Sequence, residues 1–482
     1  MARHSRRDLF KTGGIVAGGA VAAGLLAGPA RALTTPSGLV VPQASPSGSA
    51  WDQVPGILAK INPPTFPSND FDVTSFGAKG DGTTDDSAAF TKAIAAANKA
   101  GGGHVVVPAG KTFLTGAITL LSNVDLHVLG TVKFSTDTKK YPLVFSRWQG
   151  IECMNYSPFI YAFGQTNVAV TGTGTLDGQG PSGPWPGWAN NGNRNADWTS
   201  LQQMAVDGVD PHKRIFGQGH KLAPSFIQFY SCTNVLIEGV HMKNSAMWNI
   251  HPVLSKNVTI RNVNVLSRGA TVDGCDPEAC DLVHVTGCSF DTGDDGVVIK
   301  SGRDIDGRRV GVPCSNVVIE NNQFLGRWGA ITVGSEMSGG VRNVFAQNNT
   351  IMKGSSYTSF YAVYIKTNNR RGGTVDGIHV RNLHGGPESK GGFFIDMNYS
   401  LTGPGFGPIV HPKVQNIDID GLVLDGAPFA IKLSGDSSSH IKNVTVSNST
   451  FTNMDSATIS VKNADNVTFT NVKVNGKTIK SP

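Results

Sequence analysis

The chain has 482 residues, only 16% of them charged, with 59 glycines and a formal net charge of +6. Few charges and many glycines disfavour a helical bundle and favour a turn-rich β architecture. The basic residues form no Lys/Arg run that would track a nucleic-acid backbone, so no nucleic-acid partner is expected.

The N-terminus reads as an export signal. Ser5-Arg6-Arg7-Asp8-Leu9-Phe10-Lys11 is a twin-arginine pattern, followed by a Gly/Ala-rich apolar run from Gly13 to Gly28 and a small-x-small site at Ala30-Arg31-Ala32. The run is shorter than the roughly 20 residues a membrane span needs. Cleavage after Ala32 and a secreted or periplasmic location are therefore expected, with no stable membrane insertion. Residues 33–50 are rich in Ser, Pro and Gly and read as a linker. Residues 51–482 read as one catalytic domain.

From Trp51 the composition becomes globular. Phe71–Gly77 reads as a strand. Asp85–Asn98 has helical periodicity, with Asp85 or Asp86 as N-cap and Gly101-Gly102-Gly103 as the stop. His104–Pro108 returns to strand. One helix ahead of many strands suits an N-terminal cap on a stacked β core.

The chain then repeats itself. Asn167-Val, Asn234-Val, Asn257-Val, Asn316-Val, Asn343-Val, Asn416-Ile, Asn443-Val and Asn466-Val each open an alternating apolar strand. A spacing of roughly 23 to 39 residues falls within the range of solenoid repeats. Short β-branched strands cannot bury a face alone, whereas stacked coils can. The fold expected is all-β, a single-stranded right-handed parallel β-helix; a sandwich or propeller is the alternative. Asn257, Asn443 and Asn466 lie in Asn-x-Thr triplets but read as turn asparagines rather than glycosylation acceptors. Six cysteines (Cys153, Cys232, Cys275, Cys280, Cys288, Cys314) fit no zinc spacing and read as buried thiols with one or two bridges.

Chemistry concentrates in Thr271–Cys280 and Thr292-Gly-Asp-Asp-Gly296. Asp273 and Asp276 follow one repeat and Asp294 and Asp295 the next. Stacked coils lie about 4.8 Å apart, which brings such residues side by side. Crowded carboxylates push their pKa values apart, so that one holds a proton while another stays ionised, as glycosidic hydrolysis requires. A calcium site and plain turn aspartates are the open alternatives at this point.

The segments Phe76–Gly82, Gly150–Pro158, Thr171–Gly178, Pro224–Gln228, Asn244–Pro252, Thr292–Asp295, Lys300–Arg303 and Gly334–Gly340 resemble glycoside hydrolase family 28, the polygalacturonase group, over essentially all of the chain from Trp51. The resemblance implies a right-handed parallel β-helix that hydrolyses pectic chains of the plant cell wall with inversion, without metal or cofactor, as a monomer. It implies Asp294 as general acid, Asp273 and Asp295 as the pair holding the water, and Asp276 as a support of the cleft. Lys366 matches a lysine that pairs with a substrate carboxylate. Inversion places the carboxyl groups about 6.5–9.5 Å apart.

Three positions depart from the family pattern. Its Asn-Thr-Asp reads Thr271-Val272-Asp273, Trp328 stands where a histidine is expected, and Tyr364 replaces the arginine two residues before Lys366. Loss of that arginine removes a bidentate carboxylate clamp. Trp328 and Tyr364 offer faces for stacking on a sugar instead, which suits an altered sugar preference. His251 is a candidate groove residue. Trp185 and Trp188 read as packing residues, and Arg303, Arg370 and Arg371 are candidate replacements for the missing charge. The context of Glu336 favours exo action. A β-helical polysaccharide lyase and a non-catalytic carbohydrate-binding homologue are the rival functions.

Overall fold

Asparagine dictates the turns of this molecule. Asn167, Asn234, Asn257, Asn316, Asn343, Asn416, Asn443 and Asn466 all adopt left-handed backbone with φ of 54–58°, a region that Asn tolerates better than other side chains. Their amides then stack between coils. Asn234 donates to Asn167 (2.8 Å), Asn257 to Asn234 (2.7 Å), Asn343 to Asn316 (3.2 Å) and Asn443 to Asn416 (2.8 Å). The ladder skips two coils, where Leu282 (φ 60°) and Gly377 (φ 74°) hold the turn. There the preceding aspartate supplies the acceptor, Asp281 for Asn316 (2.7 Å) and Asp376 for Asn416 (2.6 Å).

The residue after each turn points inward. Val168, Val235, Val258, Val283, Val317, Val344, Ile378, Ile417, Val444 and Val467 pair in parallel register, coil upon coil. The strands form a 25-stranded sheet, a six-stranded sheet and two three-stranded sheets. Their pairings are parallel except for the hairpin Leu143–Trp148/Ile151–Tyr156 and the C-terminal hairpin Val472–Val474/Lys477–Ile479. The fold is a right-handed parallel β-helix, the hand that parallel crossovers adopt in nearly all proteins.

The computed structural model describes residues 48–480, except 191, 193, 355, 401–406 and the side chain of Asn190. The expected export signal and most of the expected linker lie outside the described residues. The described residues belong to one compact unit, Ser47–Pro482. A short helix α1 (Val54–Leu58) packs with Trp51 on the outer face of the sheet against Leu282, Val318 and Phe345. Helix α2 (Ser87–Lys99) buries Ala89, Phe90, Ala93, Ile94 and Ala97 into the main core and caps its N-terminal end. Asp86 takes the N-cap position but turns its carboxylate back to accept from Lys79 N and Gly80 N, while Asp85 before it accepts from Ser87 N (3.0 Å). The strand expected at Phe71–Gly77 is only Asp70–Asp72, continued by a 3-10 turn, Val73–Phe76.

Coil length varies more than the sequence spacing implies. Asn234 and Asn167 are ladder neighbours although 67 residues apart. The extra chain carries helices α3 (Trp185–Asn190) and α4 (Asn195–Val206). Trp185 is 1% exposed and packs on Tyr141 and Phe159, in keeping with a packing role. All six cysteines are free and buried, so the expected bridges are not formed.

Candidate active site

On one side of the coil the ladder thins to isolated bridges, Ile250 to Cys275 and Cys275 to Val297. Freed from regular pairing, the backbone here adopts unusual conformations, including Thr271 at φ 61°. A β-branched residue in that region is strained, and such strain clusters at functional sites. The strain sets the acids. Thr271 N and Asp295 N donate to the two oxygens of Asp294 (3.2 and 3.0 Å). Gly274 N donates to the carbonyl of Asp295 (2.8 Å), stacking the Asp273 turn against the Asp294–Asp295 turn.

One oxygen from each of Asp273, Asp294 and Asp295 lies within 4.8 Å of the others. This is closer than the 6.5–9.5 Å expected from inversion, because one coil step and one residue step separate them. Each acid has a different environment. Asp295 is fully held: Gly329 N (2.8 Å) and Thr332 Oγ1 (3.1 Å) donate to Oδ1, and Lys366 Nζ (2.6 Å) to Oδ2. A Cβ on Gly329 would fall 2.1 Å from Thr332 Oγ1 and 3.2 Å from Asp295 Oδ1, so only glycine fits. Asp294 is partly exposed at the cavity; burial and the charge of Asp295 push its carboxyl up to about 6. Asp273 is also pushed well up, by burial, then by Asp276 and Asp294. The group therefore titrates as a coupled set.

Asp276 has no exposed surface and sits behind Asp273, its carboxylate 3.7 Å from Lys300 Nζ. Burial raises it well above the usual carboxylate range. Lys300 opens the Lys300–Arg303 segment, and the sequence alone assigns it no role. Its ammonium bonds Glu336 (2.9 Å) and the Gly334 carbonyl (3.2 Å), lies 3.9 Å from Asp273, and sits over the Trp248 ring at 4.5 Å. Burial opposes the charge of Glu336, but Lys300, Arg303 and Arg371 together hold it well below its ordinary range. The signal for this network is coil register, which no linear motif displays.

The acids open into a cavity of about 470 Å³, the size of a small-molecule pocket rather than a long trough. Lys300, Arg303, Lys366, Arg370 and Arg371 line it, together with Gln149 of the hairpin and Asn195, Trp198, Thr199 and Gln202 of α4. Trp198 packs on Trp148 (4.9 Å) and under the Arg303 guanidinium (4.6 Å), which pins α4 against the site.

Other expected positions fall elsewhere. His251 is fully buried: Nε2 pairs with Glu278 (2.8 Å) and Nδ1 meets Ser225 and Gln228, so it lines no groove. Burial lowers its pKa despite Glu278. Tyr364 is 3% exposed, stacked on Phe394 (5.5 Å) and packed on Tyr361 (4.4 Å), which leaves no open face for a sugar. Trp328 is half-buried against Phe360 (5.0 Å), with Lys366 and Lys390 over its ring (5.4 and 5.2 Å), and is not on the cavity wall. Lys366 does line the cavity, but it is 5% exposed and its ammonium is engaged by Asp295 rather than free for substrate.

Among the described residues, the three aspartates are the only grouping that could hold a metal ion. Lys366 and Lys300 already supply positive charge to two of them.

The model of the glycosyl hydrolases family 28 matches residues 99–468. A probable polygalacturonase of Vitis vinifera is 30% identical over 393 residues, 78% of this chain and 73% of its own length. An exo-poly-alpha-D-galacturonosidase of Dickeya chrysanthemi is 26% identical over 77% of this chain, which spans 65% of that relative. The solved structure of a hyperthermoactive exopolygalacturonase from Thermotoga maritima is 41% identical with a TM-score of 0.84, covering 89% of this chain and 96% of that one.

Proposed function

The chain belongs to glycosyl hydrolases family 28 and is a polygalacturonase-like glycoside hydrolase, and we propose that it removes galacturonate from the ends of pectic chains, outside the cytoplasm, by inverting hydrolysis. The observation that carries this reading is the convergence of Asp273, Asp294 and Asp295 at the bottom of a cavity walled by α4. Asp294, whose carboxyl keeps its proton to about pH 6, donates it to the leaving glycosidic oxygen. Asp295, immobilised by Lys366, Gly329 and Thr332, accepts from the attacking water and orients it. Asp273, whose charged form Lys300 favours from 3.9 Å, takes the water's proton. Asp276 and Lys300 position Asp273.

Exo action is supported by the α4 wall and by the name of the Thermotoga maritima relative. Export is supported by the Arg6-Arg7 pattern. The lysines on Asp295 and Asp273 favour a metal-free site, so chelator should leave the rate unchanged.

The short separation of the acids favours a second reading, retention with Asp273 as nucleophile, since retaining carboxyl pairs lie only about 5–5.5 Å apart. Against it, the bonds on Asp295 and the partial ion pair on Asp273 suit holding a water. Proton NMR of fresh digests of homogalacturonan decides: the β anomer of galacturonate as first product supports inversion at the α linkage, and the α anomer contradicts it. Release of oligomers from the outset would contradict exo action, and an ultraviolet-absorbing unsaturated end would make the protein a lyase.

A further inference from the structure

Four of the five cations on the cavity wall are committed. Lys366 is on Asp295 (2.6 Å), Arg371 on Asp304 (2.7 Å), and Lys300 and Arg303 share Glu336. Arg370 differs. One of its guanidinium nitrogens donates to the Gly407 carbonyl (2.5 Å), and it has no acidic partner among the described residues. It is half-buried, so its charge is only partly solvated.

Helix α4 adds an unpartnered acceptor to the cavity lining. Gln202 is 2% exposed, and its Nε2 donates to the Trp198 carbonyl (3.2 Å). Its Oε1 is buried without a hydrogen-bond partner among the described residues. A buried acceptor left unpaired is destabilising and calls for an explanation, of which a ligand donor is one.

We infer that Arg370 grips the carboxylate of the terminal uronate while Gln202 Oε1 accepts a hydrogen bond from one of that sugar's hydroxyls. The guanidinium fork matches a carboxylate, and the clamp missing at Tyr364 is restored four residues beyond Lys366, on the turn that follows the same strand. Arg370 thereby sets the preference for an acidic over a neutral terminal sugar. Gln202 ties recognition to α4, which lines the cavity. The inference rests on the hydrolase reading above.

The test compares trigalacturonate with its methyl ester, whose carboxyls are neutral, on the full-length enzyme. Wild type should prefer the acid. Arg370→Met should raise KM for the acid about 10- to 100-fold, leave KM for the ester near the wild-type value, and change kcat little. Arg370→Lys, which keeps the charge and a donor for Gly407, should fall between. Gln202→Ala should raise KM for both substrates alike. Equal losses on acid and ester in Arg370→Met, no loss on either, or no preference in wild type overturns the assignment of Arg370. An unchanged KM in Gln202→Ala overturns that of Gln202. If wild type hydrolyses neither substrate, the hydrolase reading fails on its own. Calorimetric binding of trigalacturonate and its ester to the Asp294→Asn and Asp294→Asn/Arg370→Met proteins then judges the clamp separately. Tighter acid binding lost with Arg370 supports it, and unchanged binding rejects it.

Discussion

Asp294 and Asp295 are neighbours in sequence yet opposites in environment. Lys366, Gly329 and Thr332 saturate one, while two backbone N–H groups and the cavity surround the other. As the proposed general acid, Asp294 must be protonated to act, and burial and the charge of Asp295 push its carboxyl up to about 6. The rate is therefore supported below that pH and lost as pH rises through it; kcat/KM should fall about tenfold per pH unit above the transition. Lys366→Met strips Asp295 of its cation and of one of the bonds that hold it in place. A fall in kcat of about 10²-fold is expected from steady-state kinetics. The sequence displayed these aspartates openly because they sit in a short motif. It did not display the burial of His251 and Tyr364. His251 lies next to Ile250, where single bridges replace the regular ladder and in–out alternation fails. Tyr364 does face outward, but Phe394 of the next coil and Tyr361 of its own strand cover it.

The Asn turn is the unit of the β-helix. Asn316→Ala keeps the left-handed turn without the side chain that favours it and drops the bonds to Asp281 and Asn343. A loss of about 1–3 kcal/mol in urea unfolding with unchanged kcat is expected. These turns were legible because Asn followed by Val or Ile recurs along the chain; the two coils turned by Leu282 and Gly377 carry no such mark. Helix α4 was not, since its residues lack a strong apolar stripe and the coil that contains it only looks like a gap in the repeat. Trp198→Ala should loosen α4 from Trp148 and Arg303. Chromatography of galacturonan digests should then show KM about tenfold higher and oligomers beside the monomer.

Across the whole molecule, stability depends on buried acids far from the site as well. Glu388 is 2% exposed with neither carboxylate oxygen bonded to another of the described residues, and burial, with help from Asp425, raises its pKa from 4.5 to about 8. The folded state holds this proton more tightly than the unfolded chain, so stability is greatest below pH 4.5 and declines as pH rises from 4.5 towards 8. Glu388→Gln should flatten that decline, with a higher Tm than wild type at pH 8 and little difference at pH 4.5. The solenoid itself serves one purpose for chemistry: it stacks the turns of Asp273 and Asp294 so that their carboxylates meet in one cavity. Reducing-end release from homogalacturonan at pH 5 by wild type and Asp294→Asn, with Tm recorded for both, tests that claim most directly. The account predicts active wild type, a variant slower by about 10²- to 10⁴-fold and an unchanged fold; equal turnover by the two proteins would contradict it.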